Sequence, residues 1–314
     1  MTETETIQAI RALFPPCLEQ RNAPFTADAE LLRLADGLYA FSMDEFSPAE
    51  DFFADRDPQA LGHNLAVAVL SDVLAAGCRP KFYLQAITEP HGQEGFARDL
   101  SAGVRDVLNA CGCFLVGGDL GRGETWRYTG VAIGVCPGAT PLTRILPPRP
   151  QKLWITGTIG DGNLQAFSRQ ETVFELRLRE AALIRQTATA SIDTSGGLVE
   201  ALSALQLVNP GHAFHLVPET LPFDQRVIQV ADKAGLPLAG FAFGGAGEYE
   251  LLFASDEKAQ VDFASHIGWA LPGATPGIYW GKARLPEALP DPRGYRDTSA
   301  YIQALLRMIQ SCQI

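Results

Sequence analysis

The chain reads as a mixed α/β (α+β) protein of two domains, and three features of the sequence carry that reading. Its 314 residues are about twice a common domain length. Strand-like and helix-like segments occur in both halves, so each half is expected to build a sheet covered by helices. Between the halves, Pro137, Pro141, Pro147, Pro148 and Pro150 crowd one stretch, where proline continues neither a ladder nor a helix. The expected domains are 1–138 and 151–314.

Taken in order, the first half predicts a helix at 4–13 and a strand at 37–43. A long helix at 59–76 follows, with Leu65, Ala68, Val69, Ala75 and Ala76 on the face that carries Asp72. Strands at 82–88, 113–116 and 129–136 flank a helix at 94–110. The apolar and aromatic content of those short runs, bounded by glycine and proline, favours strands. After the prolines come a strand at 153–156 and helices at 163–168, 175–188 and 197–205. A strand at 213–217, a helix at 224–234 and a strand at 250–254 complete the reading.

Composition narrows the partners. Asp and Glu number 36 against 25 Lys and Arg, a net charge of −11, which repels phosphate backbones and anionic bilayers. No nucleic-acid or membrane partner is expected. The longest apolar runs, 65–70 and 131–136, fall far short of the roughly 18 residues a membrane helix needs. The acidic Met-Thr-Glu-Thr-Glu start lacks a basic, signal-type segment, and a cytoplasmic protein is expected. Six cysteines (Cys17, Cys78, Cys111, Cys113, Cys136 and Cys312) form no CxxC pair. They are expected to be reduced, mostly buried thiols rather than zinc ligands. The five histidines show no ligand spacing. Walker, protein-kinase, GxSxG and HExxH signatures are absent from the sequence.

Three apolar strands lead toward a carboxylate, two of them through glycine: 38–44 ending in Asp44, 114–119 ending in Gly117-Gly118-Asp119, and 154–161 ending in Gly157-Thr158-Ile159-Gly160-Asp161. Glycine lets backbone N–H groups approach an anion, and a carboxylate beside them holds a hard cation. Asp72 adds a carboxylate on an apolar helix face, where an unpaired charge costs several kcal/mol. Two readings stand for it: a hydrogen-bonded tie to a loop, or a ligand beside a metal–phosphate cluster. An oxygen-only set such as Asp44, Asp72 and Asp119 selects Mg²⁺.

These residues carry a resemblance. Ala66–Pro80, reading AVAVLSDVLAAGCRP, resembles the Asn-Leu-Ser-Asp-Leu-Ala-Ala-Met-Gly helix of thiamine-monophosphate kinases. Gly117-Gly118-Asp119 with Arg122 resembles their Gly-Gly-Asp-Thr-Thr-Arg turn. Leu142-Thr143-Arg144, the segment 156–161, Ile192-Asp193-Thr194-Ser195-Gly196-Gly197-Leu198, Gly245-Ala246-Gly247-Glu248-Tyr249-Glu250-Leu251 and Gly294-Tyr295 follow in the family's order. The wider superfamily is that of aminoimidazole ribonucleotide (AIR) synthase, selenophosphate synthetase and the hydrogenase-maturation dehydratase.

The resemblance implies the two-domain AIR-synthase-like fold, a homodimer through the N-terminal sheet, and ATP with Mg²⁺ in a cleft between the domains. It implies phosphoryl transfer to a small-molecule acceptor. Asp28, Ser42, Asp44, Asp72 and Asp119 are the implied metal-side residues, and Arg122 and Arg144 neutralise phosphate. Gly117, Gly118, Gly157, Gly160 and Asp161 line the nucleotide cleft, and Asp119, Arg122 and Arg144 act in the transfer. An AIR-synthase-like activation of another small-molecule oxygen and a degenerate nucleotide-binding dimer are the rival readings. Two departures stand out: Gly196 and Gly247 occupy positions where relatives carry carboxylates, which predicts an acceptor side with less negative charge and more room.

Overall fold

In the computed structural model, the described residues are 3–49, 51, 53, 56–138, 140–168, 171–295 and 297–314. A helix, α1 (Glu3–Arg11), precedes β1 (Glu30–Leu34), β2 (Gly37–Phe46), α2 (Pro58–Ala75), β3 (Arg79–Pro90), α3 (Phe96–Cys111), β4 (Phe114–Gly123) and β5 (Arg127–Val135). These five strands form one sheet in the order β1-β2-β5-β3-β4. Only β3 and β4 run parallel in it, joined through α3. Both β2 and β5 alternate between buried and half-buried positions, the pattern of a sheet with one face on a core. α2 and α3 cover that face. They approach so closely that a Cβ on Gly62 or Gly103 would overlap the carbonyl oxygens of Leu100 or Gln59.

The second sheet begins after the prolines with β6 (Gln151–Ile155). Then come α4 (Asp161–Ser168), α5 (Leu178–Thr187), β7 (Ala188–Asp193), α6 (Leu198–Val208), β8 (His212–Leu216), α7 (Gln225–Ala234), α8 (Ala239–Phe243) and β9 (Leu251–Asp256). β10 (Ser265–Pro272), β11 (Gly277–Trp280), β12 (Ala283–Arg284) and α9 (Thr298–Ser311) finish the chain. The strand order is β12-β11-β8-β10-β6-β9-β7. Its core gathers Leu153, Ile155, Phe214, Leu252 and Ile267.

α2 is the element that relates the two sheets. From Leu61 onward all of its residues but His63 and Asp72 are buried, because the first sheet and α3 take one side while β7 and α5 take another. Leu74 and Ala75, near its end, share a core with Trp154, Ile184, Leu251 and Phe253 from the second half.

Several sequence expectations need correction. β2 runs through Asp44, and β4 runs through Gly117-Gly118-Asp119 to Gly123, so neither carboxylate ends a strand. The helix expected at 175–188 starts only at Leu178. Ahead of it the chain is held extended: the Phe174 N–H donates to Asn64 Oδ1 at 3.0 Å, and Arg177 bonds Glu250. The strands β1, β7, β10, β11 and β12 and the helices α8 and α9 add to the expected set. The cysteine reading is also corrected: Cys78 and Cys136 form a disulfide, while Cys17, Cys111, Cys113 and Cys312 are free. Arg79 pairs with Val135 across β3 and β5, so the residues just outside that register lie side by side. Their separation of 58 residues gives no local signal. Among the described residues, no helix is long and apolar enough to cross a membrane.

Candidate active site

Three elements bring carboxylates to one point. Asp72 lies on α2, Asp193 ends β7, and Asp28 precedes β1. One oxygen from each can be chosen so that all lie within 4.8 Å of one another. Ser42, facing inward from β2, donates from Oγ to Asp72 Oδ2 at 2.5 Å. Ser71, beside Asp72 in sequence, donates from Oγ to Asp193 Oδ2 at 2.5 Å. The Asp193 N–H donates to Asp28 Oδ2 at 3.3 Å. Asp44, two residues along β2 from Ser42, completes the group. Asp72 is therefore tied by a hydroxyl on strand β2 rather than to a loop, and it lies in a carboxylate cluster.

The charges in this cluster oppose one another. Burial, and then the charges of Asp193 and Asp51, push Asp44 up to about 7. Burial, followed by Asp44, Asp193 and Asp28, pushes Asp72 well above the usual carboxylate range. Asp28 is also pushed up to about 7, with burial outweighing the opposing pull of Arg144. Burial raises Asp193 despite hydrogen bonds from Ser71 and Ser195. A divalent cation would relieve all four. The donors are carboxylate and hydroxyl oxygens with no thiolate or imidazole, which suits Mg²⁺.

Arg144 is committed within the protein. Its Nε donates to Asp28 Oδ1 at 2.8 Å, its Nη2 bonds the same oxygen, and its backbone N–H donates to the Thr26 carbonyl. The two residues expected as separate metal and phosphate contacts are thus an ion pair.

Gly117, Gly118, Asp119 and Arg122 are exposed on the edge strand β4. Between β4 and β2 lie β3 and β5, three strand spacings or about 14 Å. Within one chain, the structure does not bring Asp119 and Arg122 to the other carboxylates. Gly157 packs against the paired side chains of Glu250 and Arg177. The Gly160 N–H donates to Glu248 Oε1 at 2.7 Å. Asp161 accepts from Thr172 Oγ1 at 2.6 Å and from Arg226 at 2.5 Å. Gly162 and Gln165, one turn further, are the residues of this segment that face the cleft.

That cleft holds about 460 Å³ and runs from Asp44 and Asp72 past Tyr249 to Gly196, Glu200 and Asp291. Its far end corrects the expectation of reduced charge and extra room. A Cβ on Gly196 would overlap the Glu200 carboxylate, and a Cβ on Gly247 would overlap the Thr194 carbonyl oxygen. The space at 196 is filled by another acid, and the space at 247 by backbone. Glu248 is buried where it accepts from Gly160 and Gly162, and burial pushes it up to about 8. Sequence reasoning quoted Ile192-Asp193-Thr194 without assigning Asp193 a role. Locally it is only the last residue of β7, which packing against α2 turns into a site.

Residues 26–136 match the family described as AIR synthase related protein, N-terminal domain. Thiamine-monophosphate kinase of Escherichia coli (strain K12) is 26% identical over 249 residues, covering 73% of this chain and 75% of that protein. The thiamine-monophosphate kinase of Methanopyrus kandleri is 27% identical, covering 67% and 70%. The structure of AaThiL complexed with AMPPCP and TMP superposes with a TM-score of 0.76 at 21% identity, covering 88% of this chain and 93% of that one. The hydrogenase maturation protein HypE in complex with ATP gives a TM-score of 0.60 at 20% identity, covering 80% and 82%. These structural likenesses show the fold, a two-domain AIR-synthase architecture. Family match, relatives and fold agree: residues 26–136 carry an AIR-synthase-related N-terminal domain, and over 73% of its length the chain is similar to a thiamine-monophosphate kinase.

Proposed function

We propose that the cleft binds ATP with Mg²⁺ and transfers the terminal phosphoryl group to a small phosphate-bearing acceptor, with thiamine monophosphate as the acceptor. The observation that carries this reading is the meeting of Asp28, Asp72 and Asp193, of which Asp72 lines the cleft together with Asp44. Such a group repels a nucleotide by itself and attracts one through a cation. Asp28, Asp44, Asp72 and Asp193 would hold Mg²⁺, which neutralises phosphate charge when bound. Ser42 and Ser71 orient two of those carboxylates. Arg144 fixes Asp28 and keeps one positive charge beside the phosphates. Gly157, Gly160 and Asp161 act behind the cleft wall, setting the position of Gly162.

Homodimer formation is part of the proposal. Among the described residues β4 has no partner on its outer edge, and Phe114, Leu115, Val116 and Leu120 on it are 51–63% exposed. Strand edges with apolar side chains on both faces call for a cover. A second copy paired along this sheet supplies that cover, and Gly117, Gly118, Asp119 and Arg122 would then serve the nucleotide site across the interface. The segments 1–138 and 151–314 serve as the two domains of each subunit.

The test is release of ADP from Mg·ATP by the purified protein, with and without thiamine monophosphate. Release that depends on the acceptor supports the reading. Nucleotide binding with no transfer to thiamine monophosphate overturns it.

A further inference from the structure

Tyr249 has a backbone conformation that its side chain disfavours. Its φ is 59°, the left-handed region where a bulky residue is strained by about 1–3 kcal/mol. Both neighbours hold it there. Glu248 accepts from the N–H groups of Gly160 and Gly162 at 2.7 and 3.0 Å. Glu250 bonds Arg177 and Thr156 through its carboxylate, and its N–H donates to Thr194 Oγ1 at 3.0 Å. With 248 and 250 fixed in opposite directions, the backbone at 249 has little freedom to relax.

The strained backbone sends the ring into the site. Tyr249 is 8% exposed, and what exposure it keeps is toward the cleft. Its ring lies parallel to that of Phe53, with centroids 6.2 Å apart, and edge-on to Phe174 at 5.5 Å. These two residues come from segments before α2 and before α5, and both pack on Tyr249. Tyr249 lines the cleft together with Asp44, Asp51 and Asp72. Phenylalanine would satisfy every ring contact. Among the described residues no group is hydrogen-bonded to this hydroxyl, and a hydroxyl on a costly backbone calls for a partner.

We propose that Tyr249 is a catalytic residue whose hydroxyl donates a hydrogen bond to a non-bridging oxygen of the phosphoryl group in transit. The inference rests on the phosphoryl-transfer reading and adds a residue to it. Beside Asp44, Asp51 and Asp72, which only accept once a bound cation keeps them ionised, a phenol is a donor. During transfer the acceptor oxygen forms its bond to phosphorus as the bond from phosphorus to the bridging oxygen breaks. The electron pair leaves on ADP, and Tyr249 keeps its proton throughout. A donor aimed at the transferring group stabilises charge where it spreads in the transition state.

Tyr249→Phe tests this, because it keeps the ring contacts and the φ while removing only the hydroxyl. Expected are a fall in kcat of about 10- to 100-fold, a KM for ATP within about twofold, and an unchanged melting temperature. A second readout avoids turnover: Mg·ADP should bind wild type and variant alike, while Mg·ADP with aluminium fluoride should bind the variant about tenfold more weakly. Equal transfer rates and equal binding of the fluoride complex would overturn the assignment of Tyr249 alone. A wild-type protein that binds neither Mg·ADP nor its fluoride complex would overturn the functional reading and this inference with it.

Discussion

Asp72 carries its charge at a point where neighbouring carboxylates and burial both oppose it, so its replacement separates function from stability. Asp72→Asn keeps the shape and an oxygen that accepts from Ser42, and removes one of the repelling charges. Without metal it should stabilise the fold by on the order of 1 kcal/mol, while Mg·ATP affinity falls about tenfold or more. Chelator-treated melting curves and calorimetry read the two effects. A variant that melts earlier yet binds Mg·ATP as wild type does would make Asp72 a purely structural tie. Gly247 behaves in the opposite way. Any side chain there meets the Thr194 carbonyl, so Gly247→Glu should unfold the Gly244–Glu250 loop rather than restore a family carboxylate. Thermal denaturation should show a loss of about 2 kcal/mol or more. Gly196→Asp competes only with the movable Glu200 side chain and should be tolerated with a smaller loss. The family resemblance put Asp28, Asp44 and Asp72 with Asp119; the structure brings Asp28 and Asp72 together and leaves Asp119 on β4. The resemblance left out Asp193, whose neighbours read as the approach to a helix, and it separated Arg144 from Asp28, because an ion pair across 116 residues leaves no trace in local spacing.

At the scale of elements, α2 was legible as a helix but not as a helix buried all round. Its sequence shows an apolar face; the burial of the rest comes from β7 and α5, which lie more than 100 residues further along. β10 was missed for a related reason. Its Gly268 and Pro272 argue against a strand locally, yet it lies between β6 and β8 with a register shift at His266 and Gly268. There the close pass of His215 leaves no room for a Cβ on Gly268, so the glycine is what the pairing requires. β4 poses the reverse case. A short apolar strand ending in a Gly-Gly-Asp turn was expected, and the structure instead extends it as an exposed edge. Long exposed edges are answered in stable proteins by pairing or cover. Val116→Lys with Leu120→Glu should therefore convert a dimer to a monomer without a large loss of monomer stability, as light scattering and circular dichroism would show. If the wild-type protein is already a monomer at micromolar concentration, the interface proposed along β4 is wrong.

For the whole molecule, the carboxylate cluster ties stability to pH and to metal. In the metal-free protein, Asp28 and Asp44 are raised from 3.8 to about 7, so the folded state holds protons that the unfolded chain has already released. Stability from this source is fully present below pH 4, falls as pH rises from about 4 to about 7, and is flat above. Asp72 and Asp193 act in the same direction. Mg²⁺ binds the ionised carboxylates, so its contribution should grow over the same window in which the metal-free protein weakens, by mass action on the folded state. Melting temperatures with chelator and with millimolar Mg²⁺ should therefore differ little at about pH 5 and diverge at about pH 8. Asp72→Asn should shrink that divergence, while a substitution of exposed Asp256, at the opposite end of β9 from the residue paired with Asp193 and itself paired with Arg149, should leave it unchanged. An Mg²⁺ shift that is equal at both pH values would mean that the ion binds the general acidic surface instead of the Asp28–Asp72–Asp193 group, and the proposed metal-bridged nucleotide site would lose its physical basis.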